Sequence, residues 1–208
     1  IHPLKMTDPA VLKRWAARLA SSSSLALPTD YPRPTPARLV ETIQEQSIPS
    51  EVLESLTSLA QQHTGSDNAT LILTAFLVLL HRYTPDPSVA VCTSVTSDPS
   101  KTALLLVDMS NEKAVFGSIV EEVQKKAKEA REDPVDIEAL VGLRSDGEGP
   151  VFRVRYIVHD DVENAQEQTF TRSTSLTTDL TLHYTPATSA LAVSYNALLF
   201  SLPRITHS

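Results

Sequence analysis

Residues 69–83 constrain the fold of this chain most, because as a helix they are hydrophobic on most of the circumference. A helix of that composition predicts a position in the core rather than on a surface. The apolar run at residues 89–95 follows it and predicts a buried strand. A buried helix beside a buried strand indicates that the chain folds as a layer of helix packed on sheet.

Further helices and strands alternate along the rest of the sequence. Capping side chains and first-turn prolines predict helix starts at Thr7-Asp8-Pro9, Pro49-Ser50, Ser110 and Ser201, with a short helix after Pro134. Apolar or alternating runs predict strands at 37–43, 104–107, 152–158, 180–184 and 191–195. Residues 185–188 join the last two strands as a hairpin. We therefore expect an α/β fold with a mixed sheet covered by helices.

The composition excludes several classes of function. A net charge of −7 does not suit nucleic acid or an anionic membrane. Lys125, Lys126 and Lys128 lie among glutamates on a predicted helix, where a solvated face is the simplest interpretation. Residues 70–80 form the longest apolar stretch and are too few to span a membrane. Since Cys92 is the only cysteine, no internal disulfide is possible, and we expect one module over residues 1–208 in the cytoplasm.

Three candidates for chemistry have simpler structural interpretations. His81 ends the core helix, where hydrogen bonding to a carbonyl or interaction with the helix dipole is favoured over catalysis. His183 lies in a strand near Asp179, and a general base there is the weaker alternative. We expect its side chain to point away from the face that carries Leu180. Cys92, in a strand of valines and alanines, predicts a buried inert thiol rather than a nucleophile.

Acidic residues offer possible metal ligands and helix caps. His159-Asp160-Asp161 could ligate a metal, but three adjacent residues at a strand end do not converge on one ion, so a solvated loop is favoured. Asp133 and Asp136 flank a proline and are expected to cap the short helix. Five dispersed glycines cannot form a phosphate-binding loop. The prediction is therefore that the chain has no catalytic, cofactor-binding or metal-binding residue.

Two motifs give a resemblance to a known family. Residues 27–34 read Leu-Pro-Thr-Asp-Tyr-Pro-Arg-Pro, and residues 79–83, Leu-Leu-His-Arg-Tyr, end the core helix. A strand, a long helix and Gly149-Pro150-Val151-Phe152 follow in that order. This series resembles the second half of the condensation domains of nonribosomal peptide synthetases. The resemblance implies half of a chloramphenicol-acetyltransferase-like fold.

The catalytic part of that family has no counterpart in the sequence. Its His-His-x-x-x-Asp-Gly motif is absent, since none of the six histidines has a histidine neighbour. Members of the family bind carrier-tethered substrates in a tunnel between their two halves. With one half in this sequence, the resemblance implies no tunnel and no peptide-bond formation by these residues.

An abbreviated module of this kind occurs in the N-terminal region of fungal α-aminoadipate reductases, and residues 180–182 and 193–201 resemble its end. The resemblance implies that residues 1–208 are an N-terminal fragment of a larger multidomain enzyme of lysine biosynthesis. That enzyme adenylates aminoadipate with ATP and Mg, loads it on a phosphopantetheine carrier and reduces it with NADPH. The implied partners are its adenylation domain and a carrier domain, with no nucleic acid and no membrane. None of these cofactors is expected on this fragment.

Three functions remain open. The first is a non-catalytic module that packs on the adenylation domain and has an apolar patch near the ends of the chain. The second is a small acyltransferase whose active site is completed across a homodimer, with a histidine at the interface. The third is a docking module for an acidic carrier protein, for which Arg153, Arg155 and Arg172 would supply the basic surface. We favour the first.

Overall fold

A computed structural model describes residues 9–21, 25–35, 38–61, 65–84, 86–95, 98–111, 113–132, 134–136, 152–159 and 178–207. Within these ranges the chain forms five helices and seven strands. The helices are α1 (Pro9–Ser21), α2 (Ser50–Leu59), α3 (Asn68–Tyr83), α4 (Phe116–Glu132) and α5 (Leu202–His207). The strands are β1 (Glu41–Ser47), β2 (Ser88–Val95), β3 (Asp98–Asp108), β4 (Val135–Asp136), β5 (Val154–Val158), β6 (Leu180–Thr185) and β7 (Ala190–Asn196).

All seven strands belong to one sheet, in the order β1-β7-β6-β5-β2-β3-β4. Strand β5 is parallel to β2 on one side and to β6 on the other, and the remaining four pairings are antiparallel. Strands β6 and β7 form the predicted hairpin, and Ser189 in its turn has a left-handed φ of 54°. The predicted mixed sheet with helices packed on it is confirmed.

One face of the sheet packs against α3 and α4 and holds the main core. Leu77 of α3 and the strand residues Val91 and Val154 are completely buried there. Helix α3 contacts β2, α2 and α4, which explains why its sequence is apolar on several sides. Its first turn is capped by Asp67, whose side chain accepts a hydrogen bond from the Thr70 N–H at 2.7 Å.

The opposite face of the sheet is covered at one end by α1. Trp15 is completely buried and meets Phe152 edge to face, with ring centroids 6.4 Å apart. Cys92 and Leu104 complete this second cluster from β2 and β3. The predicted helix start at Pro9 is confirmed. Towards β6 and β7 the same sheet face carries polar side chains, which belong to the candidate site.

Two elements, α4 and β1, begin later in the sequence than predicted. Helix α4 begins at Phe116 rather than near residue 112. Upstream, the side chains of Asp108 and Asn111 each accept a hydrogen bond from the backbone N–H two residues ahead, a turn geometry that competes with a helix. Val115 precedes the helix and is 70% exposed. Strand β1 is likewise four residues further along than predicted, because its register follows β7.

A strand stands where the short helix after Pro134 was predicted. Val135 pairs with Thr102 and Asp136 pairs with Lys101, so β4 extends the sheet beyond β3. Asp133, the side chain of Asp136 and the rest of the predicted short helix lie outside the described residues, so the capping role of the two aspartates stays a prediction.

Candidate functional site

A groove of about 500 Å³ opens between α2, α3, the sheet and α5. Its floor is made by the residues of β6 and β7 whose side chains point towards α3. We refer to it as the apolar groove. It is lined by Leu27, Pro28, Ile48, Val52, Leu56, Leu71, Ile72, Ala75, Phe76, Leu79, Leu80, Tyr83, Leu180, Leu182, Leu191, Val193, Phe200, Arg204 and Ile205.

Among the described residues that line the apolar groove, one is charged, Arg204. Leu79, which the sequence places in the core, is half-buried and faces this groove instead. Val52 and Tyr83 are each 47% exposed, so the groove opens to solvent. An amino acid or a nucleotide would lose its hydration there without gaining hydrogen bonds, whereas apolar surface would gain by burial. The groove therefore suits an apolar occupant.

The motif at residues 27–34 holds the wall of the groove in place through Asp30. The Asp30 carboxylate accepts hydrogen bonds from the Ser201 N–H and the Ser201 hydroxyl, both at 2.8 Å, and from Nε of Arg204. The backbone N–H groups of Asp30 and Tyr31 donate to the Leu199 carbonyl at 2.8 and 3.2 Å. These bonds to Ser201 lower the pKa of the Asp30 carboxyl. The motif thus fixes the first turn of α5.

Arg33, in the same motif, pairs with a buried carboxylate. Its two terminal amino groups donate to the two oxygens of Asp179 at 2.8 and 2.7 Å, a bidentate pair. Asp179 is only 3% exposed, whereas the Arg33 side chain is 31% exposed. Hydrogen bonding to Asp179 raises the pKa of the Arg33 guanidinium, which keeps it charged. The pair therefore ties residues 25–35, the connector between α1 and β1, to the start of β6.

Asn196, at the end of β7, joins the residues just before β1 to the sheet. Its side-chain carbonyl accepts hydrogen bonds from the N–H groups of Val40 and Leu198, each at 3.1 Å, and its amide donates to the Arg38 carbonyl at 2.9 Å. The sequence does not single out Asn196, because its partners Val40 and Arg38 lie more than 150 residues away and meet it only in the folded sheet. The motif and Asn196 together have a structural function.

A buried chain of polar side chains crosses β5, β6 and β7 on the opposite face of the sheet. Nε2 of His159 lies 3.0 Å from Nδ1 of His183, and Nε2 of His183 lies 2.9 Å from Oγ of Ser194. The two rings are stacked, with centroids 5.3 Å apart. A neutral imidazole has one donor and one acceptor nitrogen, so the His183 ring can donate to one of its two neighbours and accept from the other.

His183 points away from the face of Leu180, as predicted, since only the latter packs against the main core. Burial lowers the pKa of His183 to about 3, and the nearby His159 and Arg155 act in the same direction. The order serine–histidine–orienting group matches that of nucleophilic catalysis. A base with so low a pKa holds a proton poorly near neutral pH, so the chain fits a neutral hydrogen-bond network better.

The two predictions made for His159 and Asp160-Asp161 have different outcomes. His159 is 3% exposed and hydrogen-bonded, so the predicted solvated loop is wrong at this residue. Asp160 and Asp161 lie outside the described residues. In the part of the chain that the structure describes, no group of three or more histidine, cysteine or acidic residues could hold a metal ion.

Cys92 is completely buried, as predicted. Its sulfur lies beside the hydroxyl of Thr102, and burial raises the pKa of its thiol. The strand register places Arg155 opposite Cys92, a nearby cation that sequence neighbours could not reveal. Its charge lowers the thiol pKa by less than burial raises it.

The remaining candidates have structural or solvated surroundings. Nδ1 of His81 lies 3.2 Å from the Asp86 carbonyl, just beyond the end of α3. Lys126 forms an exposed ion pair with Glu129 at 3.5 Å, which agrees with the predicted solvated face of α4. Arg153 and Arg155 are partly buried, and Arg172 lies outside the described residues.

The sequence is similar to two curated reductases. It is 28% identical over 218 residues to an L-2-aminoadipate reductase of Schizosaccharomyces pombe and 28% identical over 203 residues to an L-2-aminoadipate reductase large subunit of Penicillium chrysogenum, each over 93% of this chain. The chain spans 15% and 13% of the length of these relatives. No family model matches it.

Solved structures resemble the fold over nearly the whole chain. The X-domain in complex with OxyB from teicoplanin biosynthesis has a TM-score of 0.72 at 19% identity, with 95% of this chain and 49% of that one covered. The condensation domain of the Monacolin K polyketide synthase MokA has a TM-score of 0.68 at 16% identity, covering 94% of this chain and 54% of that one. The four-domain nonribosomal peptide synthetase AB3403 has a TM-score of 0.72 at 16% identity, covering 95% and 18%.

The shared fold is that of about half a condensation domain, and the resemblance predicted from the motifs is confirmed. In the described ranges, every helix is too short or too polar to cross a membrane.

Proposed function

From its likeness to aminoadipate reductases and to condensation domains, we propose that this chain is a non-catalytic, condensation-like module of an α-aminoadipate reductase. In this proposal the module packs on the adenylation domain of the same polypeptide and supports it. The observation that carries the proposal is the similarity to both reductases over 93% of the chain. The two relatives are named as reductases and are about seven times as long as this chain. The proposal therefore assigns the reductase activity to the whole parent enzyme.

The parent would adenylate aminoadipate with ATP and Mg, load it on phosphopantetheine and reduce the thioester with NADPH to the semialdehyde, as part of lysine biosynthesis in the cytoplasm. The module would contribute surface rather than chemistry. Support for this comes from its polar residues: Asp30, Arg33 and Asn196 are engaged in holding elements together. A carrier domain is a further partner in this proposal.

The histidines also support a non-catalytic role. His183 is 6% exposed and Ser194 is 4% exposed, so a substrate would have to displace covering residues to reach them. The positive charge of Arg155 also opposes the imidazolium that would form if His183 took a proton from Ser194. The burial of His183 and the nearby charge of Arg155 both favour a neutral imidazole in this network.

A second candidate is the small acyltransferase with an active site completed across a homodimer. The observation in its favour is the hydrogen-bonded series Ser194, His183 and His159. That function requires a dimer that opens this buried face and supplies the groups to bind an acyl donor. Sedimentation of the isolated chain, together with an assay of acetyl transfer from acetyl-CoA, tests both requirements.

The main proposal is tested on the full-length reductase with and without residues 1–208. We expect the deletion to reduce aminoadipate-dependent ATP–pyrophosphate exchange and aminoadipate-dependent NADPH oxidation together. Circular dichroism must show that the remainder stays folded. If both activities survive the deletion unchanged, the module does not support the adenylation step and the proposal is wrong.

A further inference from the structure

Arg155 of β5 lies on the face of the sheet opposite the main core. Its strand neighbours Val154 and Tyr156 both pack into the main core, and side chains alternate between the two faces along a strand. The register places Cys92 of β2 on one side of Arg155 and Thr181 of β6 on the other. Since β5 is the fourth of the seven strands, a cation lies at the centre of this sheet face rather than at its edge.

The guanidinium of Arg155 lacks a full set of acceptors among the described residues. Its Nε is buried and makes no hydrogen bond to any of them, although the side chain as a whole is only partly buried. Arg33 differs in this respect, because it donates to both carboxylate oxygens of Asp179. A charged N–H group that has lost its water is stabilised by an acceptor. The place beside Arg155 therefore suits an acceptor that arrives from solvent.

The described elements around Arg155 do not compensate its charge. Strand β5 and the strands on either side of it, β2 and β6, contain no acidic residue. Helix α1, which covers one end of this face, also has none and carries Lys13 and Arg14. Asp179, directly before β6, has both oxygens bonded to Arg33. In this part of the described structure the positive charge of Arg155 thus favours a bound anion.

We infer that Arg155 binds an oxyanion, the carboxylate or phosphate group of a small molecule, on this face of the sheet. A guanidinium presents planar donors that match two oxygens of such a group. The hydroxyls of Thr178 and Thr181 lie 2.8 Å apart, and one proton suffices for that bond, which leaves the other for an oxyanion. Because Arg155 is partly buried, a small ion fits this place better than the surface of an acidic protein. The inference is independent of the proposed packing on the adenylation domain.

Nuclear magnetic resonance of the ¹⁵N-labelled chain tests this site directly. Sodium phosphate and sodium acetate are titrated separately, and sodium chloride keeps the ionic strength constant. The Nε–H resonance of Arg155 is the probe, since burial protects its proton from exchange with water. We expect a saturable shift of this resonance with at least one of the two anions. Tighter binding of phosphate identifies a phosphate-bearing ligand, and tighter binding of acetate identifies a carboxylate.

The variants R155Q and R131Q show whether the effect belongs to this site. Arg131 is the matched control, because it is exposed on α4, which packs on the other face of the sheet. R155Q should weaken binding of the preferred anion by at least about tenfold, as read from the backbone amides of β5 and β6, and R131Q by less than about twofold. Equal affinities in R155Q and the unchanged chain would overturn the inference.

A second variant covers the case in which R155Q fails to fold. R155K keeps the charge but removes Nε and the planar fork, so it assigns the Arg155 resonance and should also bind the anion more weakly. The unchanged chain then provides the decision by itself. A shift that does not saturate, or one that chloride reproduces at the same concentration, would show screening of charge rather than a site, and the inference would be wrong.

Discussion

At the scale of single residues, Asp179 is an acidic residue with only 3% of its side chain exposed. A carboxylate so placed needs a countercharge and hydrogen bonds, and the bidentate Arg33 supplies both. The pair joins residues 146 positions apart in the sequence, so it forms only when the fold brings the two segments together.

Replacing Arg33 by glutamine should lower the free energy of unfolding by about 2 kcal/mol, since Asp179 would remain buried without a countercharge. The R82Q variant is the control, because Arg82 is exposed at the end of α3. Urea denaturation of both variants measures the difference. In the R33Q background, a further Asp179→Asn change should cost less than it does alone; additive costs would show that the pair is not coupled.

The buried His183 makes stability depend on pH. Its folded pKa is about 3, whereas an unfolded histidine has the ordinary value of 6.5, so between these values the unfolded chain binds the extra proton. Stability is therefore complete above pH 6.5 and falls as the pH decreases towards 3. We expect a loss of about 2 kcal/mol between pH 7 and pH 4.5 that the H183Q variant lacks. Urea titrations at the two pH values measure it, and parallel losses in both proteins would contradict the assignment.

At the scale of elements, α5 is a six-residue helix that depends on a distant segment. Alone it would be too short to be stable in water. The Asp30 carboxylate, on the connector before β1, accepts both hydrogen bonds from Ser201 at the start of this helix. The connector thus determines whether one wall of the apolar groove is formed.

The Asp30→Ala variant should accordingly increase amide hydrogen exchange in residues 202–207 by roughly tenfold. Asp108→Ala is a matched control, because Asp108 is also an exposed carboxylate that accepts a hydrogen bond from a serine N–H, but from Ser110 rather than from the residue before α5. Exchange in α3 should be the same in both variants. Unchanged exchange in 202–207 would mean that the apolar contacts of Ile205, rather than Asp30, hold the helix.

The elements that the sequence predicts well are those specified locally. Helix α3 carries its own cap at Asp67 and its own apolar pattern, and the hairpin between β6 and β7 carries its own turn. Strand β4 is different, because it exists through pairing with Thr102 some thirty residues earlier, which no local signal encodes. The same limit applies to His159 and Ser194, since only the register of β5, β6 and β7 brings them to His183.

At the scale of the whole molecule, the two faces of the sheet have different roles. One face holds the main core and the floor of the apolar groove, where α3 meets β6 and β7. The other holds α1 and the histidine network. The first face thus combines a filled core with an open apolar groove, whereas the second carries a buried polar network.

Ser194→Ala separates that description from a catalytic one. If the network is structural, aminoadipate-dependent NADPH oxidation by the full-length reductase should stay within about twofold of the unchanged enzyme, while the unfolding free energy falls by about 1 kcal/mol through the lost hydrogen bond to His183. If Ser194 is the nucleophile of an acyltransferase, the same change removes the reacting oxygen, and kcat for acetyl transfer from acetyl-CoA falls by roughly a thousandfold or more. Steady-state kinetics and urea denaturation of the one variant read out both quantities. A large loss of kcat with unchanged stability would make this face of the sheet an active site, and the module an enzyme.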